Sequence, residues 1–196
     1  GFTGTAANLA DAFTGITSIT SVITVSSGSV AASDLLTLDT ASNQAVVATA
    51  ATAITGSVAN VANAMNDQAT IDTAATVDVT ITGSAVGTVA DLKTINDATS
   101  GTITLNSQTK AGALSGSVAD IADALTGVTG HTGAVNITGT GVGTASDLKI
   151  INDASAGTIT LNSQTKAGAL SGSVADIADA LTGVTGHTGA VNITGT

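Results

Sequence analysis

Residues 115–141 read SGSVADIADALTGVTGHTGAVNITGTG, and the way this stretch divides decides the fold. Ser117 stands before V-A-D-I-A-D-A-L, in which Val118, Ile121, Ala122 and Leu125 recur at helical spacing. A Ser N-cap accepts from an amide in the first turn, and Asp120, three residues on, suits the positive helix end. Gly127 stands where a glycine ends a helix. After a Gly/Thr turn, Ala134-Val-Asn-Ile-Thr138 alternates strictly. Alternation puts Val135 and Ile137 on one face of a strand and Asn136 and Thr138 on the other. The stretch is a capped helix, a turn and one strand.

The unit recurs in both directions. Residues 85–140 and 141–196 align without gaps at a period of 56 and differ at six positions, while 106–140 and 162–196 are identical. Within each period, 89–106 resembles 118–139, which sets a structural unit of about 28 residues in two alternating flavours. Seven helix starts follow, with N-caps at Thr5, Ala31, Ser57, Thr88, Ser117, Thr144 and Ser173. Three residues after each come Asn8, Asp34, Asn60, Asp91, Asp120, Asp147 and Asp176. Gly101 and Gly157 are read, with Gly127, as helix-ending glycines. Strands are expected over 22–25, 45–48, 77–81, 102–105, 134–138, 158–161 and 190–194.

A strand, a crossover helix and a second strand in one sheet run parallel and right-handed. The expected fold is therefore α/β, a solenoid of about seven turns of about 28 residues, each one short helix plus one parallel strand. The alternative is an all-β parallel β-helix, in which the helices would be strands. The expected organisation is a single repeat array over 1–196, with divergent turns over 1–84 and near-identical repeats over 85–140 and 141–196. Neither end carries a polar capping turn, which suits a window from a longer array or a subunit that stacks end to end. The start at Gly1, with no signal-peptide pattern, reads as a processed piece or a fragment.

The alphabet is narrow. The chain lacks Cys, Pro, Trp, Tyr, Arg and Glu; its 14 acids are Asp and its 4 bases Lys, a net charge of -10. Such a chain has no basic surface for phosphates, which argues against nucleic acid and anionic membranes as partners. No apolar run reaches the roughly 20 residues of a spanning helix, so membrane insertion is not expected. Without Cys there is neither a disulfide framework nor a thiolate metal site.

No catalytic residue and no resident cofactor is expected, because no nucleophile, base and metal cluster converge in the pattern. His131 and His187 occupy one repeat position in V-T-G-H-T-G and read as solvated turn residues. Lys93, Lys149, Lys110 and Lys166 read as exposed charge balance. Calcium is the metal to consider, since it takes six to eight oxygens; the carboxylates open to it are Asp120, Asp123, Asp176, Asp179, Asp97 and Asp153. Against calcium stand helix capping and the absence of an EF-hand or β-roll motif. The wet sheet face would display Thr102, Thr104, Asn136, Thr138, Thr158, Thr160, Asn192 and Thr194. That array is either a lateral packing or ligand surface, or simply the choice of Thr as a polar strand former.

The stretches VADLKTINDATSGTITL (89–105) and ALSGSVADIADALTGVTG (113–130) resemble the Ala/Thr/Gly/Asp tandem repeats of giant secreted and surface proteins of bacteria, of the cyanobacterial type. The resemblance covers most of the chain. It implies an extracellular or cell-surface structural role, with no catalytic residues. The expected function is a non-enzymatic component of a filament, stalk or surface layer, with self-assembly or adjoining repeats as partners. The alternative is an adhesin or ice- or glycan-binding module using the Thr/Asn face.

Overall fold

The computed structural model describes residues 1–66, 69–139, 141 and 143–194. They form two compact units, Gly1–Ala85 with Thr94–Asn106, and Val86–Lys93 with Ser107–Thr196. The helix α4 (Val89–Ala98) gives its first half to the second unit and its last half to the first.

The first unit holds two four-stranded parallel sheets. One runs β1 (Phe2–Gly4), β2 (Ile23–Val25), β4 (Val46–Ala48), β6 (Ile71–Thr73); the other runs β3 (Gly28–Ala31), β5 (Ala51–Gly56), β7 (Asp78–Ile81), β8 (Ile103–Thr104). Register aligns Ile23, Val46 and Ile71 in the first sheet and Val30, Ile54, Val79 and Ile103 in the second. Each of these is buried. Three helices accompany the sheets, α1 (Ala6–Phe13), α2 (Ala32–Ala41) and α3 (Val58–Asn66), with α1 on α2 and α2 on α3. Their apolar stripes, Leu9 and Phe13, Leu35 and Leu38, Val61 and Met65, are buried in turn. Phe2 and Phe13 meet edge to face, 5.0 Å between centroids.

The second unit follows the 56-residue period. It contains α5 (Ser107–Ala111), β9 (Leu114–Gly116), α6 (Val118–Leu125), β10 (Val135–Ile137), α7 (Ala145–Ala154) and β11 (Ile159–Thr160). It continues with α8 (Ser163–Ala167), β12 (Leu170–Gly172), α9 (Val174–Leu181) and β13 (Val191–Ile193). One parallel sheet has β10 between β9 and β11; a second pairs β12 with β13. Helix α7 packs against both α6 and α9.

The single solenoid of about seven 28-residue turns is not what the chain builds. Among the described residues there are nine helices and four small parallel sheets of two to four strands, with no continuous solenoid sheet. The all-β parallel β-helix fails too, because the capped segments are helices. All seven expected helices and all seven expected strands are present. The error lies in what was missed and in the period. Six further strands (β1, β3, β5, β6, β9, β12) are too short, or too Ala- and Gly-rich, for alternation to register. Paired residues stand 23 and 25 apart from Ile23 to Val46 to Ile71, and 21 and 24 apart from Leu114 to Val135 to Ile159. Eleven more residues lead through α8 from Ile159 in β11 to Leu170 in β12, where a new sheet starts. The 56 residues from Leu114 to Leu170 thus divide into three unequal steps, two long and one short, where two equal steps of 28 were expected.

Local chemistry explains the helix starts. The hydroxyls of Thr5, Ser117, Thr144 and Ser173 accept from the amides of Asn8, Asp120, Asp147 and Asp176 at 3.0–3.3 Å. Thr144 and Asp147 form a full capping box. Ala31 begins α2 without a side-chain cap. Gly127 follows α6 with a φ of 70°, as a helix-ending glycine should. Gly101 and Gly157 play a different part from the one expected. A Cβ on Gly157 would collide with the carbonyl oxygen of Gly133, and one on Gly101 with that of Val77. These glycines let neighbouring passes of backbone touch. Among the described residues no helix is long and apolar enough to cross a membrane.

Candidate functional site

Polar side chains in the second unit gather where one pass of chain meets the next. Lys93 on the first half of α4 reaches Asp123 on α6 at 2.5 Å. One period later Lys149 on α7 reaches Asp179 on α9 at 2.9 Å and Asp153 on its own helix at 2.7 Å. Both long-range pairs span 30 residues. The hydrogen bonds to Asp153 and then Asp179 hold the Lys149 ammonium charged well above the usual lysine range.

The histidine position is the main correction at the level of single residues. His131 was expected to be a solvated turn residue, yet it is fully buried. Its Nε2 lies 2.9 Å from the carbonyl oxygen of Gly112, which can only accept, so Nε2 carries the proton. Nδ1 is then the acceptor of the neutral ring, and Ser155 Oγ donates to it at 3.1 Å. Burial holds the His131 pKa below the ordinary histidine value, partly opposed by the Gly112 carbonyl. Ser155 Oγ in turn accepts from the Gly157 amide at 3.1 Å. In the first unit Thr99 holds the same repeat position as Ser155. Its hydroxyl donates to Val77 O at 2.6 Å and accepts from the Gly101 amide at 2.9 Å.

A Ser–His contact invites a nucleophile-and-base reading. Here serine and imidazole both lie beneath the surface, and a backbone carbonyl rather than a carboxylate orients the ring. The pair has the geometry of a buried link between β-bridged neighbours, His131 being bridged in parallel to Ser155. His187, in the second copy, is only half-buried and keeps the one bond to Gly168 O at 3.0 Å.

The carboxylates considered for calcium are dispersed. Asp120 and Asp176 accept from the cap hydroxyls of Ser117 and Ser173 at 2.7 and 2.8 Å. Asp123, Asp153 and Asp179 face lysine ammonium groups. Asp97 is exposed near the end of α4. Among the described residues no three His or Asp side chains gather as a metal site.

The Thr/Asn face is solvent-facing but divided. Thr102 and Thr104 belong to the first unit; Asn136, Thr138, Thr158 and Thr160 lie on or beside the β9–β10–β11 sheet, and Asn192 and Thr194 on or beside β12–β13. Within the middle sheet Ser115, Asn136 and Thr160 stand in register. In the first unit the register adds two residues that the sequence reading missed, giving Thr55, Thr80 and Thr104 on adjacent strands. Period-2 alternation in β7 carried that signal for Thr80, while Thr55 lies in the Ala- and Gly-rich β5, which shows none.

The N-S-Q-T-K segments hold the short helices α5 and α8, for which no helix start was expected. Asn162 caps α8 through Oδ1, accepting from Thr165 N at 2.8 Å, while its Nδ2 donates to Gly139 O. Asn106 donates likewise to Gly83 O. The spacing Asn162-x-x-Thr165 was the available cue. Comparison of the chain with protein-family models, with curated proteins and with solved structures gives no match.

Proposed function

We propose that this chain is a non-enzymatic structural repeat element, part of an extracellular filament, stalk or surface layer. The observation that carries the reading is the Lys–Asp link repeated at the period, Lys93 to Asp123 and Lys149 to Asp179. Each 56-residue copy closes this link within itself, and α7 of the second copy packs on α6 of the first. Capping hydroxyls, close-approach glycines and core side chains repeat with it, so length grows by adding copies. This is the chemistry of a self-propagating array, in which each repeat is stabilised chiefly by its neighbours. Localisation outside the cell belongs to the same reading and rests on the resemblance to bacterial surface repeats.

Electron microscopy of the native material at neutral pH, with and without a calcium chelator, tests it. Uniform elongated assemblies are expected, and their survival in chelator would make calcium incidental. Discrete monomeric particles under both conditions would overturn the reading.

A second reading, an adhesin or an ice- or glycan-binding module, is favoured by one observation, the in-register Thr55, Thr80 and Thr104. Neighbouring strands place such rows about 4.8 Å apart, a regular hydroxyl lattice. Replacing Thr102, Thr104, Thr158 and Thr160 by bulky residues separates the two readings. Loss of ligand binding with assemblies intact supports the second.

A further inference from the structure

Residues 106–140 and 162–196 are the same sequence, yet three of their apolar positions have opposite environments. Val118, Val135 and Ile137 are 1%, 0% and 3% exposed; their counterparts Val174, Val191 and Ile193 are 63%, 44% and 52% exposed. Identical chemistry with different burial isolates the cause, which is what lies on top.

The structure shows what that is for the first copy. The pass that follows it, 143–161, runs over the α6–β10 face. Gly143 lies so close above Val118 that a Cβ there would stand 2.5 Å from Val118 Cγ1. Helix α7 packs on α6. Strand β11 pairs with β10, Val135 facing Ile159 and Val135 N–H donating to Thr158 O at 2.9 Å. Ser155 completes His131. Among the described residues of the second copy, β13 is paired by β12 alone and Nδ1 of His187 has no counterpart of Ser155.

Resting on the structural-repeat reading, we propose that the α9–β13 face is an acceptor surface for one helix–strand pass of the sequence 141–161, joined in series with the chain. The surface is matched to that occupant in three ways. Val174 fits a close-passing glycine of the Gly143 type. The free edge of β13 fits a parallel Thr-Ile-Thr strand. The open Nδ1 of His187 fits a serine at the position of Ser155. In the first copy the occupant follows directly in the chain, which is why the source is a segment in series rather than a separate molecule.

The chain contains no cysteine, so Ile193→Cys gives a single reporter. Its reaction with a thiol reagent is compared in the 196-residue chain and in a chain extended after Thr196 by a copy of 141–161. The expected result is labelling at least tenfold slower in the extended chain. A second extended chain, carrying Asp in the appended copy at the position equivalent to Leu148, should label as fast as the unextended one. Equal labelling with and without the extension overturns the proposal. Protection that instead appears in the unextended chain as its concentration rises also overturns it, because the occupant is then a second copy. The labelling result is independent of microscopy: absence of assemblies with protection intact defeats the structural reading but leaves the acceptor surface standing.

Discussion

His131 and Ser155 stand 24 residues apart in sequence and 3.1 Å apart in space, Nδ1 to Oγ. The bond ties two successive passes beneath the surface, and Ser155 also satisfies the Gly157 amide. Ser155→Ala removes a donor and an acceptor together and leaves two polar groups without partners. The expected cost is about 1–3 kcal/mol, read as a lower urea midpoint with an unchanged slope. A double-mutant cycle with His131→Leu should show strong coupling, since both changes break one link.

The same histidine makes stability depend on pH in a defined direction. Burial lowers its folded pKa below 6.5, so in the window between the two values the unfolded chain binds more proton than the folded one. Stability from this group is fully present above pH 6.5 and is lost as pH falls from there through the folded pKa. Urea midpoints measured from pH 8 to pH 5 should fall over that window. A single group sets a limit of about 1.4 kcal/mol per pH unit, and His131→Leu should flatten the dependence. A wild-type curve with no fall below pH 6.5 would refute the buried neutral imidazole.

Gly157→Ala and Gly141→Ala should differ sharply. A Cβ at Gly157 would run into the carbonyl oxygen of Gly133, whereas one at Gly141 meets nothing within 4 Å. The first substitution should cost about 3 kcal/mol through forced separation of backbone passes. The second should stay within about 0.5 kcal/mol. Chemical denaturation of both variants checks the contrast.

Lys149→Met removes the ammonium shared by Asp153 and Asp179. The variant should be less stable than the wild type at low ionic strength. That difference should shrink in 1 M NaCl, where the screening length is about 3 Å. A difference that does not change with salt would assign the effect to lost packing of the lysine stem instead.

Much of the local structure is legible in the sequence, and the reason is physical. Ser117, Thr144 and Ser173 announce helices because their hydroxyls act on amides only three residues away. Val135 and Ile137 announce a strand because alternation is local. What depends on a neighbouring pass is not legible. Leu114-Ser-Gly116 is a strand only because β10 lies beside it. His131 is buried only because Gly112 and Ser155 close over it. Gly101 and Gly157 look like helix ends until the carbonyls of Val77 and Gly133 are in place. The period failed for the same cause, since α8 inserts a short step that composition does not mark.

The close identity of 85–140 and 141–196 has a consequence for folding. A pass that covers α6 carries nearly the same residues as any other pass of its kind, so a slip of one period would bury the same side chains at almost no cost in contacts. Such a chain needs one place where the alignment is unambiguous. The divergent first unit provides it. Phe13 and Met65 are buried at the repeat position that the buried Leu125 holds, and the chain has no other methionine and only one other phenylalanine. A core with its own side-chain shapes acts as a starting block, from which each following copy is counted.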